Sequence, residues 1–260
     1  MAEGDGFYTF LGKIDAFDGQ YVGGVKGMNS LMEKLGIQRD PEYRVLEVGA
    51  ATGYTSYYVA EKYGCHVTST DISGELVEKA RRRAERLRLT NMDFRVADAM
   101  NLDFPDESFD AVYGIATTAV VPDRQKAFSE YLRVTKPGGS VGGLDLFIKD
   151  DASPEVESLI NTTMGKVIGS GAEVWKLDVW KKLVGDSGLV DVSVDAHFED
   201  VFEEPGFKLG TYLKLAYYLV ANSWFRSLFF EVMELRKTIS ETSGDMFDNI
   251  GYVVYAGRKS

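Results

Sequence analysis

The chain has 260 residues, 45% of them hydrophobic, and a formal net charge of −11. That size and apolar content suit one α/β domain with an inserted cap, and no Pro/Ser-rich or charge-run linker divides it into two. An acidic chain lacks the basic face that phosphate backbones require, so DNA and RNA are excluded as substrates.

The one basic cluster, Lys79 to Arg86, shares its helix with Glu75, Glu78 and Glu85 and reads as a solvated face with internal ion pairs. The single cysteine, Cys65, cannot form an intramolecular disulfide and reads as a small core hydrophobe. The opening Met1-Ala-Glu-Gly-Asp-Gly has neither a basic region nor a long apolar core, so a cytoplasmic protein without a signal peptide is expected.

Along the chain, the first forty residues look helical, around Phe7–Phe17 and Val25–Leu35. Arg44–Val48 is a buried strand followed by the small-residue loop Gly49-Ala-Ala-Thr-Gly53, and a helix runs from Tyr54 to Tyr63. His66–Thr70 is a second strand ending at Asp71, Gly74–Leu89 a long amphipathic helix, and Met92–Val96 a third strand. Phe109–Gly114 is the fourth strand, Arg124–Val134 a helix closed by Lys136-Pro-Gly-Gly139, and Ser140–Leu146 the fifth strand. Short apolar strands alternating with helices predict a mostly parallel, doubly wound sheet.

Beyond residue 150, Ser153 before Pro154 marks a helix start, Leu177–Ser187 a helix and Val190–Ala196 a strand. Residues 207–238 are apolar and aromatic but broken by Gly210, Asn222 and Ser223, and Ile250–Ala256 is a closing strand at the sheet edge. The expected organisation is an N-terminal helical segment (1–40), a ligand-binding domain (41–198 and 246–260) and a helical cap (199–245).

Three features fall at the carboxyl ends of consecutive strands, where open α/β sheets bind ligands. The loop Gly49–Gly53 lets backbone approach a ligand without intervening side chains. Asp71 can accept both ribose hydroxyls, and Asp98 can reach an adenine amino group, with Ile72 and Met100 as apolar walls. A dinucleotide fingerprint wants glycine at loop positions one, three and six, where this chain has Gly49, Ala51 and Tyr54. A phosphate loop would need Gly-Lys-Ser/Thr, which is absent. A nucleoside ligand without phosphates remains.

Val45-Leu-Glu-Val-Gly-Ala-Ala-Thr-Gly53 resembles the first motif of class I S-adenosylmethionine-dependent methyltransferases. Asp71 matches their acid after strand two, and Asp98-Ala99 their adenine-side pair. Leu102–Val112, Val121–Phe128 and Tyr131–Gly139 continue the likeness, which is greatest to the small-molecule branch that includes ubiquinone/menaquinone C-methyltransferases and sterol methyltransferases. Gln20-Tyr-Val-Gly-Gly24 is similar to the N-terminal segment that this branch folds over the cofactor. The resemblance implies a Rossmann-like seven-stranded sheet with an antiparallel last strand and S-adenosylmethionine as cofactor. It also implies cofactor contacts at Glu47, Gly49, Ala51, Gly53, Asp71, Ile72, Asp98, Ala99 and Ala116. Two departures stand out: Ala51 replaces the family's usual glycine, and Gly114–Val121 lacks the polar motif of the quinone enzymes.

Methyl transfer needs a general base only if the acceptor must lose a proton. The residues expected to face the methyl group are Tyr21, as a cation–π cap on the sulfonium, Thr117 and Thr118 beside the acceptor, Asp145, and His197 as a base. A metal-assisted mechanism would pair Asp145 with a carboxylate after strand four, which is missing, so no metal is expected. The aromatic stretch 209–230 reads as a helical cap packing on the sheet, a lid over an apolar or aromatic acceptor, a dimer interface or a peripheral membrane contact, and Lys214, Asn222 and Arg226 argue against a membrane span. Monomer and homodimer both stay open. So do two other readings: a nicotinamide-dependent oxidoreductase and a non-catalytic methyltransferase-fold subunit.

Overall fold

In the computed structural model, residues 22–168, 172–199, 201, 217–243 and 246–260 are described. Helix α1 (Gly24–Leu35) precedes β1 (Arg44–Val48), α2 (Tyr54–Tyr63), β2 (His66–Asp71), α3 (Gly74–Leu87) and β3 (Met92–Val96). Then come β4 (Phe109–Ile115), a 3-10 turn (Thr118–Val120), α4 (Arg124–Val134) and β5 (Thr135–Ile148). Helix α5 (Pro154–Ile168), β6 (Trp175–Lys176), α6 (Leu177–Gly185), β7 (Val190–His197), α7 (Ser223–Ser243) and β8 (Ile250–Arg258) complete the described elements.

The sheet order is β3-β2-β1-β4-β5-β8-β7, with the two-residue β6 pairing the end of β5. Strands β1 to β5 are parallel, and β8 runs antiparallel between β5 and β7. The order reverses between β1 and β4, which makes the carboxyl ends of those two strands the switch point of the sheet. The expected mostly parallel sheet with an antiparallel last strand is therefore present, but that strand lies inside the sheet and β7, not β8, forms the edge.

The sheet is apolar on both faces because helices cover both. On one side, Leu31 and Met32 of α1, Val59 of α2, Ala80 of α3 and Ile160 of α5 pack with Val45, Tyr113, Leu144 and Tyr252. On the other, Phe128 and Tyr131 of α4 and Trp180 of α6 pack with Leu46, Val112, Phe147 and Tyr255. Burying a large side chain of this kind contributes about 1.5–3 kcal/mol.

Several boundaries differ from those read in the sequence. Helix α3 ends at Leu87 rather than Leu89 because Arg88 turns left-handed at φ +57°. Lys136-Pro-Gly-Gly139, expected as a closing turn, lies inside β5. The physical reason is pairing with the chain terminus: Gly138 N donates to Lys259 O and Lys259 N to Gly139 O, while the β4 register shifts between Phe109 and Ala111. Helix α6 stops at Gly185, two residues before the expected Ser187. The expected helix at Phe7–Phe17 lies outside the described residues, as does most of 199–216.

Candidate active site

The loop after β1 is shaped by three left-handed residues, Gly49 (φ +73°), Ala51 (φ +48°) and Gly53 (φ +79°). Neither glycine has room for a side chain. A Cβ on Gly49 would collide with Thr117, and one on Gly53 would stand 2.8 Å from the Tyr57 hydroxyl. Main-chain groups hold the rest: Ala50 N donates to Thr70 O (2.7 Å) and Gly53 N to Ala50 O (2.8 Å).

Asp71 closes the loop from β2. Its Oδ2 accepts from Ala51 N and its Oδ1 from Ser73 N, both at 2.9 Å. Ser73 caps α3 by accepting from Leu76 N. Burial pushes the Asp71 carboxyl above its usual range, and the two N–H donors work against that shift. Ile72, the next residue, leaves 73% of its surface exposed, an apolar group held open at the ligand-binding end of the sheet. After β3, Asp98 turns the chain by accepting from Met100 N (2.8 Å), and Ala99 beside it is buried.

Across the switch point, Ala116 is also left-handed (φ +51°), and Thr117 Oγ1 donates to Gly49 O (3.3 Å) or Ile115 O (3.1 Å). Gly49, Ala51, Gly53, Asp71, Ala116 and Thr117 thus lie together at the carboxyl ends of β1, β2 and β4, where an open α/β sheet forms its ligand crevice, with Ile72, Asp98 and Ala99 on the β2–β3 side. Glu47 does not open into it. It is buried beneath the loop, taking hydrogen bonds from Ser56 Oγ and, at 3.1 Å, from Tyr113 OH. Burial raises its carboxyl to about 7 against those two donors.

The catalytic candidates scatter. Thr117 directs its hydroxyl at main-chain carbonyls. His197 ends β7, stacked on Tyr252 with centroids 4.7 Å apart and Nε2 buried without a hydrogen-bond partner among the described residues; β8 and β5 separate it from β4. Tyr21 lies outside the described residues, but its neighbour Val22 is buried and Gly23 N donates to Val201 O. Asp145, expected to face the methyl group, is fully buried on the α4 side of the sheet. An open pocket of about 390 Å³ at the β5 and β7 ends, lined by Phe147, Lys149, Asp150, Asp151, Leu177 and Phe198, is separate from the crevice.

Sequence reasoning missed Tyr57, whose hydroxyl lies 2.8 Å from Thr52 O and 2.7 Å from Ala80 O and so ties the loop to α3. Its position four residues after Gly53 was the available signal, since i and i+4 share a helix face. The partners of Glu47 were also missed, although an acid inside a five-residue buried strand requires donors.

Residues 45–139 match the family described as a methyltransferase domain. Phosphoethanolamine N-methyltransferase 1 of Arabidopsis thaliana is 28% identical over 171 residues, 66% of this chain and 33% of that protein. A sterol 24-C-methyltransferase of Gibberella zeae is 27% identical over 207 residues, 79% of this chain and 49% of that protein. The chain thus spans half or less of the length of these relatives. In fold it is similar to the Haemonchus contortus phosphoethanolamine N-methyltransferase 2 solved with S-adenosyl-L-methionine (TM-score 0.69, 17% identity, 97% of this chain and 56% of that one). Residues 45–139 thus carry a methyltransferase domain, and the chain is similar in sequence and fold to class I S-adenosylmethionine-dependent methyltransferases of the small-molecule branch. Its crevice fits that cofactor: side-chain-free backbone at Gly49 and Gly53, a carboxylate at Asp71 and an open apolar surface at Ile72 suit a phosphate-free nucleoside.

Proposed function

We propose that this protein transfers a methyl group from S-adenosylmethionine to a small, apolar or aromatic acceptor at carbon or oxygen. The observation that carries the reading is the crevice between β1 and β4, where a small-residue loop with three left-handed positions meets the Asp71 carboxylate, with Asp98 following the next strand. In this reading the backbone of Gly49, Ala51 and Gly53 holds the amino-acid end of the cofactor. Asp71 accepts the ribose hydroxyls, Asp98 the adenine amino group, and Ile72 and Ala99 flank the ring; Ala116 closes the opposite wall.

S-adenosylmethionine supplies an electrophilic methyl whose leaving group is already activated. The protein's share is then positioning and exclusion of water, worth roughly 7–11 kcal/mol in well-oriented systems. This fits a site in which Thr117 is directed at main chain and His197 stands strands away.

An apolar acceptor is supported by the described part of the 199–245 segment, read as a cap. Tyr217, Val220, Trp224, Phe230 and Met233 are exposed there, and Lys166 of α5 pairs with Glu231 of α7. Among the described residues no helix is long and apolar enough to cross a membrane.

Calorimetry with S-adenosylhomocysteine is the first test, and micromolar binding is expected. Radiolabelled methyl transfer from S-adenosylmethionine to a panel containing sterols, phenols and phosphoethanolamine follows. Absence of cofactor binding would overturn the reading, and transfer to phosphoethanolamine alone would replace the apolar acceptor with a polar amine.

A further inference from the structure

Behind the crevice, on the α4 side of β5, a charged cluster is buried where apolar packing would be cheaper. Asp145 has no exposed surface, and Arg124 is 4% exposed. Removing such charges from water costs several kcal/mol each unless their partners compensate. Here both charges act on one residue of the 3-10 turn that follows β4. Ala119 N donates to Asp145 Oδ1 (3.2 Å), and Ala119 O accepts from Arg124 Nη2 (2.7 Å).

Each charge is itself held. Tyr255 OH donates to Asp145 Oδ2 (3.1 Å) and stands 3.3 Å from Thr118 Oγ1. The Arg124 guanidinium lies 3.8 Å over the Trp175 ring and also donates to Glu173 O. Glu173 N in turn donates to Ala119 O (3.3 Å). The turn so gripped starts beside Thr117, whose hydroxyl reaches Gly49 O, and Val120 N bonds back to Thr117 O (3.0 Å).

We infer that Asp145 and Arg124 are positioning residues: they clamp Ala119 by both of its main-chain groups and so set Thr117 against Gly49, fixing the width of the cofactor crevice. Neither residue needs to touch the ligand. The inference rests on the cofactor reading of the crevice. It assigns to Asp145 a role as a hydrogen-bond acceptor, which an amide can also fill, rather than as a proton acceptor.

The test compares the wild type with Asp145→Asn, Asp145→Leu and Tyr255→Phe, measuring S-adenosylhomocysteine affinity by calorimetry and amide exchange across residues 116–121. Asp145→Asn keeps an acceptor for Ala119 N and should bind within threefold of wild type with Ala119 still protected. Asp145→Leu should bind at least tenfold more weakly, and exchange at 118–121 should rise while the central strands stay protected. Tyr255→Phe frees the carboxylate and should give an intermediate loss, which keeps the test decisive if Asp145→Leu does not fold. Wild-type affinity in both Asp145→Leu and Tyr255→Phe would overturn the clamp, as would an Asp145→Asn loss as large as that of Asp145→Leu. If the wild type fails to bind, the cofactor reading falls, and exchange at Ala119 alone then decides whether the clamp exists.

Discussion

Each oxygen of Asp71 already accepts a main-chain N–H, one from the loop at Ala51 and one from the start of α3 at Ser73. A carboxylate has further lone pairs on both oxygens, so the same group can orient the loop and receive ribose hydroxyls. Asn at this position has one acceptor oxygen and cannot serve both N–H donors. Asp71→Asn should therefore weaken S-adenosylhomocysteine binding at least tenfold and Asp71→Ala more, since hydrogen bonds to charged groups contribute about 1.5–3 kcal/mol each. Titration calorimetry measures this, and unchanged affinity in Asp71→Asn would remove Asp71 from the site. Ala51 offers a contrasting case. A side chain at φ +48° is strained by roughly 1–2 kcal/mol, and glycine gives back only part of that through its freer unfolded chain. Ala51→Gly should thus stabilise the protein by about 0.5–1 kcal/mol in urea unfolding while preserving cofactor affinity; a loss of stability would show that the Ala51 methyl packs usefully.

At the scale of elements, α1 approaches the sheet closely enough that a Cβ on Gly23 would stand 2.8 Å from the Tyr252 ring, and Gly23 also holds φ +66°. Gly23→Ala combines left-handed strain with overpacking against a rigid ring, so a loss of about 2–3 kcal/mol in denaturant unfolding is expected; a change below about 0.5 kcal/mol would mean that α1 shifts freely. That close approach was only half legible in the sequence. Gly23-Gly24 stood out before a helix, but nothing local names Tyr252 as the neighbour. The central elements were far easier to read, because strands buried on both faces show as apolar runs such as Val45–Val48 and Ala111–Tyr113 between amphipathic helices. The start of β5 was not, since Lys136-Pro-Gly-Gly139 carries turn chemistry and is drawn into the sheet by distant partners, Asp110 of β4 and Lys259, more than a hundred residues away. The site divides in the same way. Gly49, Asp71 and Asp98 sit at strand ends whatever the tertiary detail, whereas the inward direction of Asp145 depends on which face of β5 meets α4, a fact no local pattern contains.

For the whole molecule, two of the buried acids, Glu47 and Asp145, make stability depend on pH in an unusual sense. Burial raises both Glu47 and Asp145 to about 7, against an ordinary range near 4. Between those limits the folded protein binds more protons than the unfolded chain, so each group makes folding less favourable as pH rises from about 4 to 7, and the loss is complete above 7. The limiting slope is about 1.4 kcal/mol per pH unit for each group. Net charge acts in the same direction, because a formal charge of −11 becomes smaller as carboxylates protonate and self-repulsion falls. The acids held by arginine oppose it: Glu130, lowered by Arg133, carries stability that is present above its unfolded value and lost as pH falls below it. Those opposing losses set in below about pH 5, so thermal stability should rise from pH 8 to a maximum between about pH 5 and 6. Glu47→Gln keeps the shape of the side chain and an acceptor for Ser56 or Tyr113 while removing the ionisation. It should flatten the pH 6–8 part of the profile relative to wild type, as read by calorimetric Tm across that range. An identical slope in the variant would show that Glu47 stays ionised in the folded protein, with Ser56 and Tyr113 outweighing its burial.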